Sequence, residues 1–282
     1  MTAAAMIVDG TYGVEFAGQR VLPVGVAEKA SVAFRISLEG KGGHASLPGR
    51  DHPLERLTAG LQRLVAASPN RSLSPEVVEM LGRLGARSSG LQGWLMQRIS
   101  WAPVRWVAMP TLQKQAYTNA MTRNTVAWTG LTAGDSYNVI PNRAEAQVDM
   151  RILPGTTPEE ALAWAKEAID LPEASYEILE FKSPSRSALD SPWFNLYEAV
   201  AAQRFPDMLV APILSPASTD ARHTRPAGIP SYVVVPAYEG SELLATIHEK
   251  DERIPARALG EGARFFFEFL VASDAAATPH ER

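Results

Sequence analysis

The chain contains no cysteine among its 282 residues, which excludes a disulfide framework and any zinc site built on thiolates. A metal ion would have to bind His, Asp or Glu side chains, and the chain has five histidines. Long apolar runs are also lacking, because Asp, Glu, Arg or Pro interrupts every hydrophobic stretch before the roughly 20 residues that span a bilayer. We therefore expect neither a transmembrane segment nor a membrane partner.

An excess of charge of either sign is likewise absent. The 27 basic and 31 acidic residues leave a net charge of -4, and no basic tract is present that would follow a phosphate backbone, so we expect no nucleic-acid partner. The apolar first residues, 1–8, have no basic leader, and we expect a soluble, cytoplasmic chain. The length and the 46% apolar content allow two modest domains.

The first half of the chain shows both periods of regular secondary structure. A short apolar run at 4–8 predicts a buried strand, and apolar residues that alternate with polar or small ones over 31–39 predict a half-buried strand. After Pro53, apolar residues recur at helical spacing, and proline suits the first turn of a helix. Between about 72 and 121, tryptophan, methionine and leucine occur without alternation, which predicts a helical insertion.

Residues 124–132 and 144–152 are predicted as two strands joined by a long loop. Thr157 is placed to cap a helix that begins at Pro158, and a strand follows at 176–181. The resulting order of strand, helix, insertion, two strands, helix and strand is the split βαβ arrangement. That arrangement closes into an antiparallel sheet with two helices on one face.

From Pro184 onward, helices and strands alternate. We predict a helix at 193–203, strands at 209–214 and 231–235, and a last helix at 256–270. The predicted fold class is therefore α/β plus α+β, with an antiparallel split βαβ domain inserted into an α/β sheet domain.

Four short motifs carry chemically capable residues. They are Gly-Gly-His-Ala-Ser at 42–46, Tyr-Asn-Val-Ile-Pro at 137–141 with Asp-Met-Arg at 149–151, Ser-Thr-Asp-Ala-Arg at 218–222, and His-Glu-Lys-Asp-Glu-Arg at 248–253. Each one alone is unspecific. A lone histidine is more often a surface or core residue than a ligand, and an aspartate before a glycine often begins a turn.

In this order and on these elements, the motifs resemble the di-zinc peptidase and deacylase family of acetylornithine deacetylase, succinyl-diaminopimelate desuccinylase and carboxypeptidase S. The resemblance implies a zinc-peptidase catalytic domain, present in part at 1–28 and 184–275. It also implies a ferredoxin-like lid or dimerisation domain at 29–183 that carries the insertion at about 72–121. The implied reaction is the zinc-dependent cleavage of an amide bond beside a free carboxylate, in a small peptide or an N-acyl amino acid.

The resemblance also assigns roles to individual residues. Asp9 and His248 match metal ligands, and a complete site of the family holds two zinc ions. His44 matches the histidine that hydrogen-bonds the oxyanion, in the same chain or in a homodimer partner. The remaining matches are implied to bind the substrate: Asn138, Arg151, Asp220 and Arg222.

The chain also departs from the family pattern. That pattern begins with a His-any-Asp segment, a bridging aspartate and a Glu-Glu pair, all upstream of the residue that Asp9 matches, and this sequence lacks them. A catalytic zinc normally takes three protein ligands and a water molecule. We therefore expect an N-terminally truncated chain that binds zinc weakly and has no amidase turnover alone, unless a separate N-terminal segment complements it.

Two other functions remain open at this point. The split βαβ domain could act as a non-catalytic dimerisation module or remnant. A serine hydrolase would need a nucleophile and a base, and Ser218, Asp220 and His223 are close in sequence, but the chain has no Gly-x-Ser-x-Gly motif.

Overall fold

The computed structural model describes residues 5–8, 13–67, 71–235 and 246–276. The chain divides into two compact units. The first unit comprises Met1–Glu28, Leu73–Met121 and Ser185–Arg282, and the second comprises Lys29–Ser72 and Thr122–Pro184. No helix within the described ranges has the length and apolar composition needed to cross a bilayer.

The second unit is an antiparallel sheet with two helices on one face. Its strands β4 (Ala30–Glu39), β6 (Thr125–Ala133), β8 (Arg143–Ile152) and β9 (Ser175–Lys182) lie in the order β6-β8-β4-β9. Helices α1 (Pro53–Ala66) and α6 (Pro158–Ile169) pack on this sheet. This is the ferredoxin-like order that the sequence predicted.

Local sequence explains these elements. In β4, the side chains of Val32, Phe34, Ile36 and Leu38 are fully buried, and the residues between them are more exposed, as the period of two predicted. Helix α6 begins with a capping box, in which the Glu160 N–H donates to Thr157 Oγ1 at 3.2 Å and the Thr157 N–H donates to Glu160 Oε2 at 2.9 Å.

The first unit is built around a strand that the sequence analysis did not predict. Strand β3 (Gln19–Glu28) pairs with β2 (Val14–Phe16), β10 (Ser185–Arg186), β11 (Leu209–Ser215) and β12 (Ser231–Val233), and β1 (Met6–Val8) pairs with β12. Residues 21–28 are all buried. Because both faces of β3 are covered, the strand shows no alternation that the sequence could reveal.

Helices cover this sheet. Helix α7 (Pro192–Arg204) and the last helix, α9 (Ala256–Ala276), share an aromatic core with β3, in which the ring centroids of Tyr197 and Phe265 are 5.0 Å apart. The short helix α8 (Ala221–Thr224) follows β11. The predicted helices and strands of this part of the chain are present, with ends that differ by a few residues.

The insertion is helical, as predicted. It forms α2 (Pro75–Arg87), α3 (Gly90–Gln97), α4 (Ala102–Leu112) and α5 (Ala116–Thr122). The structure places 73–121 in the first unit, whereas the predicted domain division gave the insertion to the lid domain. The physical reason lies in the contacts of α2, because Gln19 Nε2 donates to the Leu84 carbonyl at 2.9 Å and Arg83 pairs with Glu198 of α7.

Candidate active site

Two of the four motifs meet in the second unit. Strands β5 (Gly43–His44) and β7 (Val139–Ile140) form a two-stranded antiparallel sheet in which His44 lies opposite Val139. The Ala45 N–H donates to the Asn138 carbonyl at 3.0 Å. The Gly-Gly-His-Ala-Ser and Tyr-Asn-Val-Ile-Pro motifs, which are about 90 residues apart in the chain, thus form one loop cluster at one end of the main sheet.

The hydrogen bonds of His44 define which ring nitrogen carries the proton. The backbone N–H of Ser46 donates to His44 Nδ1 at 3.2 Å, and Ser46 Oγ lies 2.8 Å from the same nitrogen. A backbone N–H can only donate, so Nδ1 of the neutral ring must accept, and the proton resides on Nε2. The imidazole is solvent-exposed and presents an N–H donor, which is the group that a developing oxyanion requires.

The two glycines before His44 have different roles. A Cβ on Gly42 would lie 2.6 Å from the Ile140 carbonyl oxygen, whereas a Cβ on Gly43 would meet nothing closer than Ile140 Cδ1 at 4.0 Å. Both contacts involve the paired strand β7. Only Gly42 is therefore required for the close approach of the two motif segments.

We expect Gly42→Ala to lower the free energy of unfolding by about 1–3 kcal/mol and to disrupt the preference of His44 for the Nε2–H tautomer. Thermal unfolding and long-range ¹H–¹⁵N NMR of the imidazole measure the two effects. Gly43→Ala is the matched control and should preserve both. Equal behaviour of the two variants would contradict the assigned role of Gly42.

Asn138 and Arg151 do not approach each other within one chain. Asn138 lies beside the Arg143 end of β8, where Arg143 pairs with Glu39. Arg151 lies eight residues farther along this strand, so Arg143 and Arg151 are about 27 Å apart at roughly 3.4 Å per residue. Asn138 and Arg151 therefore lie toward opposite ends of β8, and their substrate-binding roles stay predictions.

Arg151 belongs instead to a charged cluster at the other end of the sheet. Its Nε and Nη2 donate to the Asp149 carboxylate at 3.0 and 2.8 Å, and Ser31 Oγ donates to the same carboxylate at 3.2 Å. Sequence patterns singled out Arg151 but not the buried lysine beside it.

That lysine, Lys29, is fully buried and donates from Nζ to the Arg123 carbonyl at 2.8 Å and to Thr125 Oγ1 at 3.3 Å. Burial lowers the pKa of Lys29 to about 7, and the positive charges of Arg151 and Arg123 contribute to this lowering. The adjacent Glu28 and Lys29 look like an ordinary surface pair in the sequence, so no local signal identifies this buried amine.

The motif at 218–222 lies in the first unit. Asp220 precedes α8 with an exposed side chain that makes no capping hydrogen bond. Arg222 Nε donates to His223 Nε2 at 3.0 Å. That contact occupies the ring nitrogen that a serine-hydrolase base would use, and Asp220 and Arg222 stay predictions as substrate-binding residues.

The most organised polar groups near this motif are residues that the sequence analysis did not select. Glu28 and Arg225 are both buried, with their charged groups 3.9 Å apart. Glu28 accepts hydrogen bonds from the Thr219 N–H at 3.1 Å and from the Thr219 hydroxyl. This network therefore holds the motif loop against β3.

Arg225 uses its guanidinium to join several segments of the first unit. It donates to the Gly25 carbonyl at 2.7 Å, the Ser231 carbonyl at 2.9 Å, Ser187 Oγ at 3.1 Å and Ser185 Oγ at 3.1 Å. Burial lowers the pKa of Arg225, while Glu28 opposes that change. The arrangement satisfies a buried cation completely, which indicates a structural role.

Of the two predicted metal ligands, only His248 lies in the described part of the chain. Asp9 lies outside the described residues. His248 is exposed, has a left-handed backbone with φ 66°, and donates its backbone N–H to Glu252 Oε2 at 3.1 Å. Within the described ranges, no group of three or more His, Asp or Glu side chains could hold a metal ion, and the pairing of Asp9 with His248 stays a prediction.

Comparison with known proteins agrees with the predicted dimerisation domain. The family model for the peptidase dimerisation domain matches residues 26–177, more than half of the chain. This chain belongs to the peptidase dimerisation domain family. The resemblance to a peptidase and deacylase family that the motifs indicated is thereby confirmed.

Relatives by sequence are hydrolases. The chain is 27% identical over 256 residues to a probable carboxypeptidase S-like 2 of Dictyostelium discoideum, covering 89% of this chain and 48% of that protein. It is 27% identical over 260 residues to the human N-fatty-acyl-amino acid synthase/hydrolase PM20D1, covering 89% of this chain and 51% of that protein. Pig aminoacylase-1 is 31% identical over 153 residues, and the match covers 51% of this chain and 35% of that protein. The chain thus spans about half the length of these relatives or less.

Solved structures show the same fold. The M20 family metallo-carboxypeptidase Sso-CP2 from Sulfolobus solfataricus matches with a TM-score of 0.63 and 17% identity, covering 95% of this chain and 63% of that chain. Human carnosine dipeptidase 1 matches with a TM-score of 0.66 and 11% identity, covering 95% and 59%. The predicted fold class is confirmed.

Proposed function

We propose that this chain is part of a zinc-dependent hydrolase that cleaves an amide bond beside a free carboxylate, in a small peptide or an N-acyl amino acid. The observation that carries the proposal is the Nε2–H donor of His44, held in place by Ser46 on the β5–β7 sheet. The relatives support the substrate class, because their names describe carboxypeptidase, acylase and fatty-acyl-amino acid hydrolase activities.

In this proposal, His44 donates a hydrogen bond to the oxygen of the scissile carbonyl as it becomes an oxyanion. A donor in this position is typically worth about 3 kcal/mol, or roughly a hundredfold in rate. The ring is exposed on the second unit, which suits either a site in its own chain or one in the partner of a homodimer. The proposed homodimer rests on the dimerisation-domain match.

We further propose that the 282-residue polypeptide alone binds zinc weakly and does not turn over substrate. The support is the ligand pattern: the resemblance matches only Asp9 and His248 to metal ligands, and a catalytic zinc normally takes three protein ligands. In this proposal, a separate segment that carries the remaining ligands could restore hydrolysis by complementation.

Zinc content and hydrolysis test this directly. After equilibration with zinc and gel filtration, we expect less than one zinc per chain by mass spectrometry and no hydrolysis of N-acetylmethionine or N-oleoylphenylalanine. Two tightly bound zinc ions with chelator-sensitive turnover would show that the chain is a complete hydrolase and would refute the proposed inactivity.

Co-expression with the N-terminal half of the carboxypeptidase S-like relative tests the lineage and the role of His44. Restored turnover that falls about a hundredfold in His44→Ala would support both. Glu55→Gln, at an exposed position of α1, is the control and should leave turnover unchanged.

The alternative is a non-catalytic dimerisation module, which the family match over 26–177 favours. Sedimentation of the zinc-free chain as a stable dimer, with no turnover in any co-expression, would support this second function.

A further inference from the structure

The helical insertion has an unusual charge distribution. Between 80 and 121 the sequence contains five basic residues and no acidic residue, although the whole chain has a net charge of -4. Arg83 pairs with Glu79 and Glu198. The other four basic residues are exposed and form no ion pair with any carboxylate of the described ranges: Arg87, Arg98, Arg105 and Lys114.

The same helices expose large apolar side chains. Trp106 is 81% exposed, Trp101 57% and Trp94 41%, and Leu91 and Val107 are exposed beside them. The guanidinium of Arg98 lies over the ring of Trp94, 4.7 Å from its centroid. We name this surface the insertion patch, and it consists of these five apolar residues and the four exposed basic residues.

The helices that carry the insertion patch are also anchored to the first unit by buried residues. Ile99, Val104 and Met109 are buried, and α3 approaches α2 so closely that a Cβ on Gly93 would lie 2.8 Å from the Gly85 carbonyl oxygen. The exposed tryptophans therefore do not result from a loosely packed segment. A fixed scaffold presents them to solvent.

We propose that the insertion patch binds the interface of an anionic lipid bilayer, without crossing it. Tryptophan prefers the headgroup level of a membrane because its ring is apolar and its indole N–H is polar. Exposed Arg and Lys side chains add attraction to anionic lipids. The absence of a spanning segment, from which the sequence analysis expected no membrane partner, does not oppose binding at the surface.

The charge of the patch distinguishes this occupant from a second copy of the chain. Two copies meeting symmetrically through the insertion patch would bring four basic residues on each side together, with no acidic residue of 80–121 to compensate them. An anionic lipid surface has the complementary charge and also accommodates the apolar rings at the headgroup level.

Vesicle flotation tests the proposal with the whole chain. We expect binding to phosphatidylcholine vesicles that contain a quarter phosphatidylglycerol, little binding to phosphatidylcholine alone, and release at high salt. Arg98→Glu/Arg105→Glu should reduce partitioning at least about 25-fold, since each basic residue contributes about fivefold. Trp101→Ser/Trp106→Ser should also reduce it, by at least about tenfold, because it removes the two most exposed interfacial rings. Thermal unfolding of both variants should match that of the original chain, because the substituted side chains are exposed.

Trp128→Ser is the matched control, because Trp128 is 46% exposed on β6 of the second unit. It should leave vesicle binding unchanged. Equal partitioning of the original chain and both patch variants would overturn the proposal, as would an absence of binding to anionic vesicles. Self-association that occurs without lipid and disappears in the patch variants would assign the surface to a second copy instead.

Discussion

Replacing Arg225 with methionine should lower the free energy of unfolding by about 3–5 kcal/mol, because the substitution leaves Glu28 as an uncompensated buried charge. Both side chains are about 1% exposed. The guanidinium also supplies hydrogen bonds to the Gly25 and Ser231 carbonyls, and these buried acceptors would lose their donors. The loop that contains Thr219, which Glu28 holds, should loosen in the same variant.

Urea unfolding followed by circular dichroism measures this effect. Arg222→Met, three residues earlier on α8, is the matched control and should cost less than about 1 kcal/mol, since Arg222 is only half-buried and contacts His223. The double variant Glu28→Gln/Arg225→Met should recover part of the loss because it removes both charges. A small effect of Arg225→Met, or no recovery in the double variant, would contradict the assigned role of the pair.

The stability of the chain should also depend on pH through Lys29, whose pKa is about 7 in the folded state and 10.5 in its ordinary state. Below about pH 7 both states are protonated, and the cost of burying the ammonium is complete. Between about pH 7 and pH 10.5 the unfolded state binds more protons than the folded state, so the free energy of unfolding rises with pH. The expected contribution is about 2 kcal/mol between about pH 7 and pH 9.

Lys29→Met isolates this contribution. The free energy of unfolding of the variant minus that of the original chain should be larger below about pH 7 than at about pH 9, because the variant lacks the buried titrating group. The loss of the Lys29 hydrogen bonds to the Arg123 carbonyl and Thr125 changes the free energy of unfolding by an amount that does not depend on pH. Lys41→Met, at an exposed position, should show the pH profile of the original chain. Parallel profiles of Lys29→Met and the original chain would refute a titrating Lys29.

The sequence predicted the elements whose surroundings are asymmetric. Strand β4 and helices α1 and α6 each bury one face, so their apolar residues repeat at the period of the element. Strand β3 is buried on both faces and gave no such signal, although it organises the first unit. The insertion was correctly predicted as helical. The sequence did not reveal that it belongs to the first unit, because the contacts of Gln19 and Arg83 that place it there are long-range.

The same distinction applies to the residues of the candidate site: some were selected by sequence motifs and others are distinguished only by the tertiary structure. Motif chemistry selected His44 and Asn138, which the structure brings together, and Asp9 lies outside the described residues. Glu28, Lys29 and Arg225 were not selected, since only burial distinguishes them from surface charges.

By itself, the sequence determined the split βαβ unit, the family and the histidine motif, because local periodicity and short motifs are properties of neighbouring residues. The tertiary structure alone decided the tautomer of His44, the separation of Asn138 from Arg151 and the exposure of the insertion tryptophans. These properties depend on groups that are far apart in the chain, and their energies arise only when folding brings the groups into contact or leaves them in water.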